Sequence, residues 1–138
     1  MPAERFLDTN ILLYGYDLDA GKKRSTAQAL IEDAWLKPGR TAVSVQVLQE
    51  FHVNFVRKGN SPDEAAAVIE DFCLWTVVDN TLPIFRHGLS LQSRWQLSLW
   101  DAMILAAASS SGAQELFTED LNHGQSYDGV QAINPFRL

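Results

Sequence analysis

Short apolar segments alternate with longer helical ones along this chain, and the alternation constrains the fold more than any other feature. Five apolar segments predict β-strands: Phe6-Leu7, 41–43, 76–78, 116–118 and 130–133. Apolar residues at helical spacing, together with capping residues, predict helices at 9–17, 22–36, about 45–57, from 62 onward, 83–95 and 101–111. Strands that alternate with helices form a parallel sheet covered on both faces. The sequence therefore predicts an α/β fold, a three-layer α/β/α sandwich around a parallel five-stranded sheet.

The length and composition predict one domain over residues 1–138. Hydrophobic residues make up 46% of the chain and charged residues 20%, a balance typical of globular domains. A chain of 138 residues is long enough to bury a real core. Turn-like segments at 37–40, 57–62 and 122–129 separate the predicted elements without forming a long linker.

The expected location is the cytoplasm. Cys73 is the single cysteine, so no internal disulfide forms and a reducing compartment is expected. The first residues lack the charged and apolar regions of a signal peptide, and no apolar run reaches the length of a membrane span. The net charge of -6 gives no general attraction for nucleic acid, so phosphate contact would need a metal ion or a local basic patch.

Four acidic residues each lie where an apolar segment meets a helix or loop: Asp8, Glu50, Asp101 and Asp120. Carboxylates in such places are costly to desolvate, and they repel one another when they are close. Ligands of parallel sheets bind at the carboxyl ends of the strands. Asp8 and Asp120 lie just past two predicted strand ends, and Asp101 lies at a predicted helix start. The four acids therefore predict one composite site that binds a cation.

Each acid also has a purely structural interpretation. Asp8 and Asp101 are in positions where they can cap the helices that follow them. Glu50 belongs to a polar line with Gln46 and Asn54 at a spacing of four residues, which is typical of a solvated helix face. Asp120 can be a turn acid, and its neighbour Glu119 competes for the same role. Only the joint placement of the four acids at one edge of a sheet favours a site.

A cluster of carboxylates suits a hard divalent cation such as Mg²⁺ or Mn²⁺. Two unit charges about 4 Å apart interact by roughly 4 kcal/mol at an effective dielectric near 20, so the cluster needs a cation to remain ionised. The cation can then polarise a phosphoryl oxygen and activate a water molecule. The residues suggest no covalent nucleophile, and His52, His87 and His123 do not have the spacing of zinc ligands.

Four motifs in order resemble those of the PIN-domain ribonucleases and, more narrowly, the VapC-type toxins of bacterial toxin–antitoxin systems. The motifs are FLDTN, QVLQEFHVNFVRK, LSLWDAMILAAA and LFTEDLNHG, and the resemblance covers nearly the whole chain. Its implied fold is a five-stranded parallel sheet between helices, in agreement with the strand count above. Its implied activity is cleavage of RNA by water that Mg²⁺ or Mn²⁺ activates.

The resemblance also implies roles for individual residues. Asp8, Glu50 and Asp101 match the three acids that hold the divalent metal, and all are present. Asp120 matches a fourth acid, which completes a second metal position or orients water. Supporting roles follow for Thr118, as a hydrogen-bonding hydroxyl, and for Asn10, as a polar residue beside Asp8.

Three partners are implied by the same resemblance: an RNA substrate, a cognate antitoxin protein and a second copy of the chain in a homodimer. Protein partners need apolar surface, for which the candidates are Trp35, Leu36, Phe85, Trp95 and Trp100. For any single one of them, ordinary core is the favoured interpretation. The basic runs Lys22-Lys23-Arg24 and Arg57-Lys58 are candidates for guiding RNA phosphates, or else solvated helix ends.

Two other functions compete with this prediction. A phosphotransfer domain also places Asp at strand ends, but its phosphatase form needs a second Asp where Asn10 stands. Its receiver form needs a Lys on the last strand, and 130–133 contains none. A non-catalytic binding module, in which the acids are caps or dock an Arg, is the alternative from a different class.

Overall fold

The computed structural model describes residues 2–137, and within them a six-stranded sheet lies between helices. The strands are β1 (Arg5–Leu7), β2 (Thr41–Ser44), β3 (Thr76–Val78), β4 (Glu115–Phe117), β5 (Ser126–Tyr127) and β6 (Val130–Ile133). The α-helices are α1 (Thr9–Gly15), α2 (Lys22–Leu36), α3 (Val45–Arg57), α4 (Pro62–Phe72), α5 (Leu82–Trp95) and α6 (Leu99–Ser111). Short 3₁₀ turns lie at Pro38–Arg40 and Pro135–Arg137. No helix in this range is both long and apolar enough to cross a membrane.

The sheet has the strand order β3-β2-β1-β4-β6-β5, and all neighbouring strands are parallel except β5 and β6. The predicted α/β fold with a parallel sheet is confirmed, and the five predicted strands are all present. The predicted count of five is wrong by one, because β5 adds a short antiparallel edge strand.

The turn between β5 and β6 explains the extra strand. Asp128 and Gly129 both have positive φ, at 53° and 94°, and they connect Tyr127 directly to its partner Val130. Two central residues with positive φ match the twist of a tight hairpin, and Asp-Gly is a preferred pair there. The sequence interpretation treated 122–129 as one loop and missed this hairpin signal.

Two groups of helices cover the sheet. Helix α6 packs on five strands and on α5, and its residues 102–108 are all buried. Helix α1 packs on α2 and α3, and α3 packs on α4. An aromatic cluster made of Phe51, Phe55, Phe72, Trp75 and Trp35 fills the space among α2, α3 and α4.

Capping residues determine where the helices start. Ser44, Ser61, Thr81 and Ser98 each accept a hydrogen bond from a backbone N–H in the first helical turn. The prediction that α6 begins at Asp101 is therefore wrong by two residues, because Ser98 caps the helix and Leu99 is its first residue. Asp101 lies within the first turn, where helix N–H groups favour negative charge.

The strand order places a crevice between β1 and β4. From β1 the chain continues to β2 and β3 on one side, whereas β4 is followed by β6 on the other side. Such a change of direction separates the loops at the carboxyl ends of the two strands and leaves room for a ligand. Because α6 leads into the start of β4, the N-terminus of α6 lies at this same edge of the sheet.

Candidate functional site

The four predicted acids line one cavity at the carboxyl edge of the sheet. The cavity has a volume of about 250 Å³ and is called the acid cavity below. Its lining consists of Asp8, Thr9, Asn10, Leu13, Gln46, Glu50, Asn54, Trp100, Asp101, Ile104 and Asp120. Asp8 follows β1, Glu50 lies in α3, Asp101 lies in α6 and Asp120 follows β4. Segments that are far apart in the chain therefore deliver their carboxylates to one place.

Asp8 is the most deeply buried of the four acids, with 5% of its surface exposed. Its Oδ1 accepts a hydrogen bond from the backbone N–H of Thr9 at 2.7 Å, and its Oδ2 accepts one from the hydroxyl of Thr118 at 2.7 Å. Burial raises the pKa of Asp8 to about 7, the two hydrogen bonds oppose the rise, and the charges of Asp120 and Glu50 add to it. The carboxylate is thus fixed in orientation and destabilised in its charged form.

Thr9 links the first two acids. Its backbone N–H donates to Asp8, and its hydroxyl donates to Oε1 of Glu50 at 2.7 Å. Glu50 is on the polar face of α3, and Gln46 and Asn54 one turn away on either side also line the cavity. The opposite face of α3 packs Phe51 and Phe55 into the core, so the helix cannot rotate without exposing them. The polar line of Gln46, Glu50 and Asn54 therefore faces the acid cavity.

Asp120 is held from two directions. Its side chain accepts a hydrogen bond from Nδ2 of Asn10 at 3.0 Å, and its backbone N–H donates to the hydroxyl of Thr118 at 3.1 Å. Burial raises the pKa of Asp120, the charges of Asp101 and Glu119 raise it further, and the bond from Asn10 opposes the rise. Thr118, which is buried, therefore connects the fourth acid to Asp8.

Asp101 is half-buried at the start of α6. Its backbone N–H donates to the hydroxyl of the capping residue Ser98 at 3.1 Å, so its carboxylate is not needed as the cap. Burial raises the pKa of Asp101, hydrogen bonding with Ser98 opposes the rise, and the charge of Glu50 adds to it. Raised pKa values at three neighbouring carboxyls are typical of a functional site.

A family model of the PIN domain matches residues 5–126. The chain belongs to the PIN domain family. No curated protein sequence matches the chain. The region matched by the PIN model contains all four acids of the acid cavity.

Solved structures share the fold of this PIN domain. A toxin–antitoxin complex from Klebsiella pneumoniae is 23% identical, with a TM-score of 0.71, and the match covers 96% of this chain and 98% of that one. VapC20 of Mycobacterium tuberculosis, a toxin that cleaves the sarcin–ricin loop, is 22% identical with a TM-score of 0.66, over 85% of this chain and 92% of that one. DNA-bound VapBC from Salmonella typhimurium is 21% identical with a TM-score of 0.67, and the match covers 94% of this chain and 96% of that one. At these identities the likeness establishes the fold.

The chemistry of the acid cavity fits a divalent cation. Four carboxylates supply the oxygen ligands that Mg²⁺ and Mn²⁺ prefer. Oδ1 of Asn10 is buried and has no hydrogen-bond partner among residues 2–137. It is therefore a further oxygen acceptor next to the carboxylates. Within the same residues no group of three His, Cys, Asp or Glu side chains is placed to hold an ion together. Asp8, Glu50 and Asp120 each accept a hydrogen bond from a neighbouring side-chain donor.

The basic residues predicted to guide RNA lie in three different surroundings. Lys22 is exposed at the start of α2. Lys23 forms an ion pair with Glu119 at 2.9 Å and lies over the ring of Tyr14. Arg24 is half-buried and lines a separate cavity with Trp35. The second basic run is similar, because Lys58 pairs with Asp17 at 2.9 Å and Arg57 is exposed.

The residues predicted as apolar partner surface divide into two classes. Leu36 and Trp100 are 79% and 66% exposed, and Phe85 is also exposed. Trp35 is half-buried against Phe72 and Trp75, and Trp95 is half-buried against Tyr127. The latter two side chains are therefore largely part of the core.

The sequence interpretation missed two features of the site. It interpreted Trp100 only as partner surface or ordinary core, although the residue lines the acid cavity beside Asp101. It also left Glu119 and Asp120 as competitors, whereas Glu119 accepts a hydrogen bond from Tyr14 and pairs with Lys23. Burial and Glu119 raise the pKa of the Tyr14 hydroxyl, which keeps it a proton donor. No local pattern signals the contact of Glu119 with α1 and α2.

Proposed function

We propose that this chain is a divalent-metal-dependent endoribonuclease that hydrolyses RNA phosphodiester bonds with water as the nucleophile. The observation that carries the proposal is the convergence of Asp8, Glu50, Asp101 and Asp120 on one cavity. Burying carboxylates side by side lowers stability unless a cation neutralises them, so their convergence argues for a function. Membership of the PIN domain family supports the same conclusion.

The residues of the acid cavity have distinct roles in this reaction. When bound, Mg²⁺ or Mn²⁺ supplies positive charge that polarises a phosphoryl oxygen and increases the acidity of the attacking water. Asp8, Glu50 and Asp101 hold the ion, and Thr9 and Thr118 orient two of these carboxylates by donating to them. Asp120, oriented by Asn10, positions the attacking water or accepts its proton. The water oxygen bonds to phosphorus, one ester oxygen leaves, and that oxygen takes up a proton.

We further propose that the enzyme is the VapC-type toxin of a toxin–antitoxin pair and acts in the cytoplasm. The support is its fold, which it shares with a Klebsiella pneumoniae toxin–antitoxin complex and with the RNA-cleaving VapC20 toxin. On this proposal a small antitoxin binds the toxin and suppresses cleavage, and two copies of the chain form a homodimer. Exposed apolar side chains such as Leu36 and Leu74 provide surface for these contacts.

A cleavage assay with Asp101→Asn tests the enzymatic proposal. The substitution keeps the helix cap, because the backbone N–H of Asp101 makes the bond to Ser98. With Mg²⁺ or Mn²⁺ present, we expect the rate of RNA cleavage to fall by at least about 100-fold, as when one group that stabilises a transition state is removed. Wild-type cleavage should also stop when a chelator removes the ion.

The matched control is Glu115→Gln, which removes an exposed carboxylate at the other edge of the sheet. This variant should cleave RNA like the wild type. Undiminished cleavage by a pure, folded Asp101→Asn protein would refute the role of Asp101. Cleavage that persists without divalent ions would refute the metal-dependent reaction.

A further inference from the structure

Trp100 is an exposed aromatic residue next to a functional acid. It precedes Asp101 in the first turn of α6, and 66% of its surface is accessible to solvent. Trp75, by contrast, is buried in the aromatic cluster. Large aromatic side chains gain from burial, so a Trp left exposed at the edge of a polar cavity suggests that a ligand covers it.

Trp100 lies between two neighbouring cavities. On one side it lines the acid cavity. On the other side it lines a second cavity of about 340 Å³, called the side cavity here, together with Asn80, Thr81, Leu82, Phe85, Leu99 and Met103. The side cavity is mostly apolar and has polar groups at Asn80 and Thr81, a composition typical of sites for flat organic ligands.

The backbone around Trp100 is held in place although its ring is exposed. Nε2 of Gln46, a buried residue of α3, donates a hydrogen bond to the carbonyl oxygen of Trp100 at 3.3 Å. Ser98 caps the same turn by accepting a bond from the N–H of Asp101. The backbone that carries the ring is therefore fixed, as expected for a residue that binds a ligand and not for one at a frayed helix end.

We propose that Trp100 stacks on the nucleobase next to the scissile phosphate, with that base in the side cavity. The inference rests on the proposed endoribonuclease function and specifies its substrate as single-stranded RNA. A nucleotide carries its phosphate and its base at opposite ends of the sugar, and the two cavities offer a charged and an apolar site on either side of Trp100. Aromatic side chains bind unpaired bases in this way, whereas bases within a duplex are already stacked.

Measurements of kcat/KM on short RNAs test the inference. The substrates are single-stranded RNAs of about 12 nucleotides, intact or with one abasic site moved along the strand. We expect Trp100→Ala to lower kcat/KM by about 10-fold to 100-fold, the effect of losing one stacked base, while Trp100→Phe retains most of the activity. In the wild type, an abasic site at one position beside the cleaved bond should cause a similar loss. In Trp100→Ala the same abasic site should cause no further loss.

Leu89→Ala is the matched control, since Leu89 is an exposed leucine of α5 that lines neither cavity. This variant should cleave RNA like the wild type, because surface substitutions away from a site have small effects. A rival occupant of the side cavity is a second copy of the chain. Sedimentation analysis distinguishes it, since Trp100→Ala and Leu82→Ala would then both convert a dimer to a monomer.

Three results would overturn the inference while leaving the proposed function intact. One is a Trp100→Ala enzyme that cleaves intact RNA like the wild type. Another is an abasic penalty that is equal in the wild type and in Trp100→Ala. The last is a loss of the dimer in both side-cavity variants. Wild-type protein that cleaves no RNA with Mg²⁺ or Mn²⁺ would instead refute the proposed function, and this inference with it.

Discussion

The two edges of the sheet carry cavities of opposite character. At the amino edge lies a cavity of about 660 Å³, more than twice the 250 Å³ of the acid cavity at the carboxyl edge. It is called the rear cavity here, and its lining consists of Pro2, Ala3, Glu4, Gly112, Gln114, Glu115 and Gln131. Glu4 and Glu115 are both exposed, whereas Asp8 at the other edge is buried. The larger cavity therefore has solvated carboxylates, whereas the smaller one includes the buried carboxylate of Asp8.

The hydrogen bonds at the two edges differ in the same sense. Near the rear cavity backbone groups join neighbouring segments: Ala3 N–H donates to the carbonyl of Ser111, and Gln114 N–H donates to the carbonyl of Glu4. These bonds join chain segments and serve stability. In the acid cavity the bonds run from side chains to carboxylates, and they orient groups that cost free energy to bury. Buried charge, and not cavity size, distinguishes the edge that we propose to be functional.

Divalent-ion binding should show the largest difference between the edges. We expect calorimetric titration of the wild type with Mg²⁺ or Mn²⁺ to show binding that Asp8→Asn weakens by at least about 100-fold, because the variant loses one oxygen ligand charge. Glu115→Gln, at the rear cavity, should bind like the wild type. Equal affinity in Asp8→Asn and the wild type would place the ion elsewhere.

The second-largest effect should be on the pH dependence of stability, which should differ between the wild type and Asp8→Asn. The pKa of Asp8 is about 7 in the folded chain and 3.8 in the unfolded reference, so the folded protein binds the proton more tightly. With a chelator present, wild-type stability should therefore fall as pH rises from 3.8 to about 7, and then level off. Asp8→Asn lacks this titration, so its stability relative to the wild type should increase over that pH range. About three pKa units give an upper bound of roughly 4 kcal/mol, reduced by the altered bonds to Thr9 and Thr118.

Thermal unfolding of both proteins across this pH range measures the effect. If the unfolding free energies of the wild type and Asp8→Asn changed with pH in parallel, the raised pKa of the buried Asp8 carboxyl would be contradicted. The same comparison at Glu115→Gln should show no such divergence, because Glu115 is exposed.

Gly112→Ala, at the rear cavity, should lower stability without changing catalysis, in contrast to substitutions in the acid cavity. Gly112 ends α6 with a φ of +86°, and an added Cβ would lie 2.5 Å from Cβ of Pro2. Left-handed strain and crowding together should cost about 1–3 kcal/mol of unfolding free energy. Gly124→Ala, with a φ of +84° and no atom within 4 Å of the added Cβ, isolates the strain alone. A lower cleavage rate per folded molecule in Gly112→Ala would break the proposed separation of the two edges.

Substitutions of Lys22 and Lys23 should have the smallest effects. A lysine that contacts single-stranded RNA phosphate contributes about 0.7 to the slope of log affinity against log salt concentration. Lys22→Ala should approach that change, whereas Lys23→Ala should change the slope less, because Glu119 already pairs with Lys23. Titrations of a labelled RNA at several salt concentrations measure both slopes. A larger change for Lys23 would mean that RNA displaces Glu119.

Local signals predicted the elements but not every connection between them. Caps such as Ser61 and apolar spacing in α3 correctly located helices, because these effects act over a few residues. The hairpin at Asp128-Gly129 was missed although its signal is local, since β5 is too short for its strand pattern to stand out. At Asp8 a cap and a site do not exclude each other, because one oxygen accepts from the N–H of Thr9, the other accepts from Thr118, and the side chain lines the acid cavity. The site itself stays a prediction.

The chain by itself determined the α/β class and the approximate positions of five strands, because periodicity, capping and turn preferences depend on neighbours in sequence. It also indicated which acids belong together through the order of the four motifs. Only the tertiary structure decided that Asp8 and Thr118 meet across 110 residues, that Glu119 turns to Lys23 while Asp120 faces the cavity, and that Trp100 stands between two cavities. These contacts depend on the placement of β1 beside β4, and strand order is set by the packing of the whole chain.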